Sequence, residues 1–230
     1  MTEDRCDSNV QDLLKTIALI AMIVDHLGMY IFIDLLEFRA IGRFAFPVFA
    51  FFAGYNFYGK MRHIIWIFGL FLIISSIYIY GLFQNNILIS IALGQLYLSY
   101  FGLAILKNEW MFFRHFCAML IFTFFTYLLT DYGTLTIVFM MAGLYAAHKS
   151  QDLGYFVLAI LSFILFEQYN HPWLFNKFSL ALTTTVVIIN AGLCISLTSY
   201  RDRIFFPLRF ISRNSLYIYA ISTVWIWMMV

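Results

Sequence analysis

The sequence predicts an all-α protein, a polytopic integral membrane bundle of about nine transmembrane helices with a cytoplasmic N-terminus. Three observations lead there. The 230 residues are 63% hydrophobic and only 11% charged, more apolar surface than a soluble domain of this length needs. A membrane helix takes about 20 apolar residues, and runs of that kind recur almost end to end. Lysine and arginine are also shared unequally between alternate connections, as orientation in a membrane requires.

Taken in order, the polar opening 1–12 (MTEDRCDSNVQD) is acidic and lacks the basic region and cleavage site of a signal peptide. It reads as a retained, short cytoplasmic segment. Residues 13–230 then form a single transmembrane domain, cut by charges and turn residues into spans near 13–33, 43–59, 63–82, 86–106, 111–130, 133–148, 153–169, 177–198 and 213–230. The first is LLKTIALIAMIVDHLGMYIFI. The second opens on IGRFAFPVFA, with Pro47 in the first turns, where a missing N–H is tolerated. Gln84-Asn85-Asn86 precedes the fourth, and Asp131-Tyr132-Gly133 joins the fifth to the sixth, which is short and carries glycine. Glu167, Asn170 and His171 close the seventh, and Pro207 breaks the polar stretch before the last. Little chain is left for loops, and no internal repeat suggests an inverted-repeat transporter.

With the N-terminus inside, Arg5, Lys15, Lys60, Arg62, Lys107, Arg114, Lys149, Arg201, Arg203, Arg209 and Arg213 fall on the inner side. Arg39, Arg43 and Lys177 fall outside, a division of 11 to 3 among the 14 basic residues. The net charge of +2 gives no basis for nucleic-acid binding. Cys6, Cys117 and Cys194 are scattered, and no cluster of Cys, His, Asp or Glu has metal-ligand spacing, so no metal is expected.

Asp25-His26 is the first candidate for chemistry. Ionisable side chains are costly at bilayer depth and mark function there. His26 follows Lys15 by eleven residues, about 16 Å along a helix and nearly on the same face. It falls past the midplane, toward the outside. A histidine is the usual base near neutral pH; the plain alternative is a packing hydrogen bond to a neighbouring helix. Consecutive helical residues diverge by about 100°, so Asp25 does not orient His26 directly. Its expected partner is a cation from another helix, Arg43, because a buried guanidinium needs a carboxylate. The alternative for Arg43 is snorkelling to lipid phosphate.

Asn86, Asp131, Tyr132 and Glu167 fall on the outer side, where ordinary turn chemistry also favours such residues. Together they make an acceptor-rich mouth, in which Asp131 or Glu167 could hold an incoming amine. On the inner side, Lys60, Arg62 and Arg114 either report orientation alone or form a basic rim for an anionic donor such as coenzyme A phosphates.

These residues resemble the TraX family, typified by the F-pilin acetylase of conjugative plasmids. Asp12-x-x-Lys15-x-x-Ala18-x-x-x-Met22-x-x-Asp25-His26 is similar to the family's opening motif, and Gly42-Arg43-x-Ala45-Phe46-Pro47-x-Phe49-Ala50 to its second signature. Asn86-Ile87-Leu88 with Ala92-Leu93-Gly94 resembles a third, and Tyr132-Gly133 a weaker fourth. The motifs cover the first 135 residues; beyond them, hydrophobic pattern and overall length match. The Lys15-to-His26 interval also resembles the Arg-x10-His element of the membrane acyltransferase-3 group.

The resemblance implies acetyl transfer from cytosolic acetyl-CoA to an acceptor reached across or within the bacterial inner membrane. It implies His26 as base and, as first acceptor, the N-terminal amine of pilin. Lys15, with Lys60, Arg62 and Arg114, would contact the donor, and Arg43, held by Asp25, or a backbone N–H pointed into the cavity, would stabilise the oxyanion. Family members often carry a histidine in the last span, where this chain reads Tyr217-Ile218-Tyr219-Ala220-Ile221-Ser222. That departure leaves other acceptors open, a surface-glycan hydroxyl among them. A proton-coupled transporter and a structural assembly factor are the readings from other classes.

Overall fold

The computed structural model describes residues 8–33, 36–43, 45–81, 86–126, 132–149, 154–170 and 206–229. These are all-helical, with no strand among them. The helices are α1 (Ser8–Tyr30), α2 (Leu36–Gly42), α3 (Ala45–Tyr55), α4 (His63–Tyr80), α5 (Ile87–Leu106), α6 (Glu109–Thr126), α7 (Leu135–His148), α8 (Gly154–Asn170), α9 (Phe206–Arg213) and α10 (Ser215–Met229). The span expected at 177–198 lies outside the described residues.

Several expected apolar segments reappear as helices with shifted bounds, and the second differs in kind. The first helix begins at Ser8 rather than near residue 13. Its polar start is helical because Asp12, in the second turn, is buried and accepts a hydrogen bond from Ser212 Oγ at 2.7 Å. The second expected span is broken. The stretch read as an outer loop forms α2, Arg43 occupies a turn, and α3 has only 11 residues. At 1.5 Å per residue α3 is about 16 Å long, well short of a bilayer core.

Two helical stretches, Gln11–Tyr30 and His63–Tyr80, are long and apolar enough to cross a membrane. Ile87–Gly102, Leu135–His148, Gly154–Gln168 and Ser215–Met229 are apolar but shorter. Helix α4 leaves Ile67, Leu70, Phe71, Ile74 and Ile77 exposed along its length. An apolar stripe of that extent on the outside marks a surface that meets lipid or protein.

The chain divides into two compact units, Met1–Phe49 with Ile160–Val230, and Ala50–Ala159. In the first, α1 packs against α2, α9 and α10. Gly28 lets α2 approach, since a Cβ there would lie 2.6 Å from Phe38 Cβ. The Thr16 hydroxyl donates to the carbonyl of Asp12 at 2.7 Å and lies 3.3 Å from that of Leu208, tying α1 to α9. Pro47 sits in the first turn of α3, as the sequence suggests.

In the second unit α7 is the core helix, buried at every position from Val138 to Ala146. Its Gly143 faces the Phe51 carbonyl, and Gly54 on α3 faces the Met140 carbonyl, each too close for any side chain. Such paired small residues let helix backbones approach. Thr134, at the start of α7, ties that helix to α6, its hydroxyl donating to the Met119 carbonyl at 2.7 Å. Its N–H donates to Thr126 Oγ1 at 2.9 Å.

Candidate functional site

The charged residues of the first motifs converge within the first unit. Asp25 meets Arg39 on α2, with Nε to Oδ1 at 3.0 Å. Both are largely withdrawn from solvent, at 18% and 16% exposure. Arg43 meets Glu167 on α8 at 3.5 Å, and Glu167 is only 2% exposed. Glu167 is also close enough to feel the charges of Asp25 and Arg39. The expected single Asp25–Arg43 pair is therefore replaced by an array of two arginines and two carboxylates.

Local sequence explains the array. Arg39 and Arg43 are four residues apart, so the last turn of α2 and the residue just beyond it present both. The turn closes with Arg43 N–H donating to the Arg39 carbonyl at 3.2 Å. Between them Gly42 lies flat on Asp25; a Cβ there would overlap the carboxylate side chain. Arg39, counted from the sequence as an outer-loop cation, is the residue that reading missed. Its four-residue spacing from Arg43 was the available signal.

His26 sits one residue beyond Asp25. Its Nδ1 lies 2.8 Å from the Met22 carbonyl on the preceding turn. A carbonyl oxygen only accepts, so Nδ1 carries a proton, and Nε2 is the nitrogen that holds the lone pair when the ring is neutral. Aromatic rings frame the imidazole. Tyr219 on α10 meets it edge to face, centroids 5.7 Å apart at 78°. Tyr30 lies 6.3 Å away, backed by Trp227 at 6.5 Å. Tyr219 falls in the stretch noted for its missing histidine. A contact between α1 and the last helix leaves no local signal in sequence.

The remaining candidates are placed differently. Lys15 is on α1, half-buried, with Nζ 3.5 Å from Gln11 Oε1. Lys60, Arg62 and Arg114 are exposed, all belong to the second unit, and make no ion pair among the described residues. Free surface cations of this kind suit phosphates. Asn86 is the N-cap of α5 rather than an open mouth residue. Its side-chain oxygen accepts from the N–H groups of Leu88 and Ile89 at 3.1 and 3.3 Å, and its Nδ2 donates to the Gly69 carbonyl at 3.1 Å. Tyr132 lies in the turn before α7, followed by Gly133 at a positive φ of 53° that favours glycine. Asp131 lies outside the described residues. Glu167 is buried against Arg43, not solvated at a mouth, because the guanidinium draws the carboxylate inward.

Fold and site together define a protein that is all-helical over the described residues, with two membrane-capable helical stretches and, in its first unit, a charged cluster beside a histidine. The chain belongs to the TraX family: the family model described as TraX protein matches residues 10–212. It is also 40% identical over 225 residues to an uncharacterized protein of Rickettsia prowazekii, covering 94% of this chain and 90% of that one. No solved structure matches it.

Proposed function

We propose that the chain is a multi-pass protein of the bacterial inner membrane. It moves acetyl from cytosolic acetyl-CoA to an amine at the outer side, first the N-terminal amine of pilin. The observation that carries this reading is His26, whose Nδ1 is tied to the Met22 carbonyl, which makes Nε2 the nitrogen that would exchange a proton beside an ion-paired array. Membership of a family associated with F-pilin acetylation is consistent with it.

The neutral amine attacks the thioester carbonyl, forming the N–C bond. His26 Nε2 takes the proton released by the nitrogen. The oxyanion is met by the guanidinium of Arg43. As the tetrahedral intermediate collapses, the C–S bond breaks and the thiolate leaves with the electron pair. The imidazolium then returns its proton to give the free thiol. Asp25 with Arg39, and Glu167 with Arg43, hold the two guanidinium groups against drift. Lys15, Lys60, Arg62 and Arg114 contribute the positive charge that a phosphate-bearing donor needs at the inner side. No metal takes part.

Purified protein in detergent, given labelled acetyl-CoA and a peptide with the pilin N-terminus, tests the reading. Replacing His26 by Ala should cut transfer by about 10²–10⁴-fold, the usual contribution of a general base. Transfer by that variant at the wild-type rate removes His26 from the chemistry. Label found on envelope glycans, with pilin mass unchanged, moves the acceptor to a sugar hydroxyl.

A further inference from the structure

We propose that Tyr219 is a positioning residue for His26, acting through the ring and not the hydroxyl; this rests on His26 as the base. The hydrogen bond from Nδ1 to the Met22 carbonyl ties the imidazole at one corner, to its own helix. One corner leaves the ring free to swing, and a swing of that kind carries Nε2 away from the acceptor. The edge-to-face contact with Tyr219 removes that freedom, because a ring set at 78° to the imidazole is a wall across its path. The wall is itself fixed, since Tyr219 is buried on α10.

The same helix supports the imidazole a second time. Trp227 follows Tyr219 by eight residues, roughly two helical turns, and its ring stands at 78° to Tyr30. Tyr30 in turn lies 6.3 Å from His26. Helix α10 thus reaches His26 directly through Tyr219 and indirectly through Trp227 and Tyr30. Among the described residues, the charged and titratable groups facing His26 are Asp25 and Tyr30 on α1, Arg39 on α2 and Tyr219 on α10. Helix α9 meets the other end of α1, at Asp12 and Thr16. The ring of Tyr219 is therefore the part of α10 that answers to the base.

Two variants and two readouts test this. Tyr219→Phe keeps the wall and Tyr219→Leu removes it while filling much of the space. In acetyl transfer, Phe should act within about twofold of wild type, and Leu should lose about tenfold in kcat with KM for both substrates unchanged, the cost of a misplaced catalytic group. In ¹⁵N spectra of histidine-labelled protein, with the His26 signal assigned by its loss in His26→Ala, wild type and Phe should show one tautomer and Leu an averaged one. Leu at the wild-type rate with a single tautomer overturns the proposal. A Leu variant that raises KM at constant kcat makes Tyr219 an acceptor contact instead. A Phe variant as slow as Leu assigns the role to the hydroxyl and overturns it too. Wild-type protein that transfers no acetyl, but shows the tautomer change in Leu, leaves the positioning intact and removes the reaction.

Discussion

Asp25 and Arg39 hold each other in a place neither would enter alone. A charge left unpartnered there keeps most of its desolvation cost, so removing one partner should destabilise about as much as removing both. We expect Asp25→Ala and Arg39→Ala each to cost about 3 kcal/mol in denaturant unfolding of the micelle-bound protein. The double variant should cost little more than either. Strictly additive losses would show that the 3.0 Å contact carries no energy. Asp25 and His26 were legible in sequence because two ionisable residues stand out in an apolar run. Their partners were not. Arg39 looked like a loop cation, and Tyr219 comes from the far end of the chain, where only folding reveals the contact.

The helices owe their approach to glycine. At Gly143 an added Cβ would overlap the Phe51 backbone carbonyl and sit 2.8 Å from the Tyr55 amide, neither of which turns aside as a side chain does. Gly143→Ala should therefore cost about 3 kcal/mol, at the upper end of overpacking. Gly59, with a φ of 79° and nothing within 4 Å of a Cβ, should lose only about 1 kcal/mol as alanine, from backbone strain alone. Thermal unfolding of both variants in one detergent checks the order, and equal losses would contradict the close packing of α3 on α7. Apolar run length located α4 and α5 within a residue or two. It failed at α2, where Glu37 and Arg39 in seven residues imitate a turn. Burial of Arg39 against α1 decides that helix, and periodicity in so short a piece does not.

For the whole molecule, the proposal needs a protein that faces two compartments. The composition leads to the expectation of a lipid environment, and the exposed apolar stripe of α4 suits a surface that meets lipid or protein. The expected nine crossings do not reappear as such: two stretches among the described residues are long and apolar enough to cross, while α3 and α10 are too short to span unaided. The most direct measurement is acetyl transfer across sealed vesicles. Protein is inserted in one orientation, acetyl-CoA is supplied on the side of Lys60 and Arg62, and a pilin N-terminal peptide is enclosed on the other. Wild-type protein should give acetylated peptide inside the vesicles, and His26→Ala should lose about 10²-fold or more. Enclosed peptide that stays unmodified, in vesicles whose protein acetylates the same peptide when it shares a compartment with the donor, would contradict transfer between two sides of a membrane.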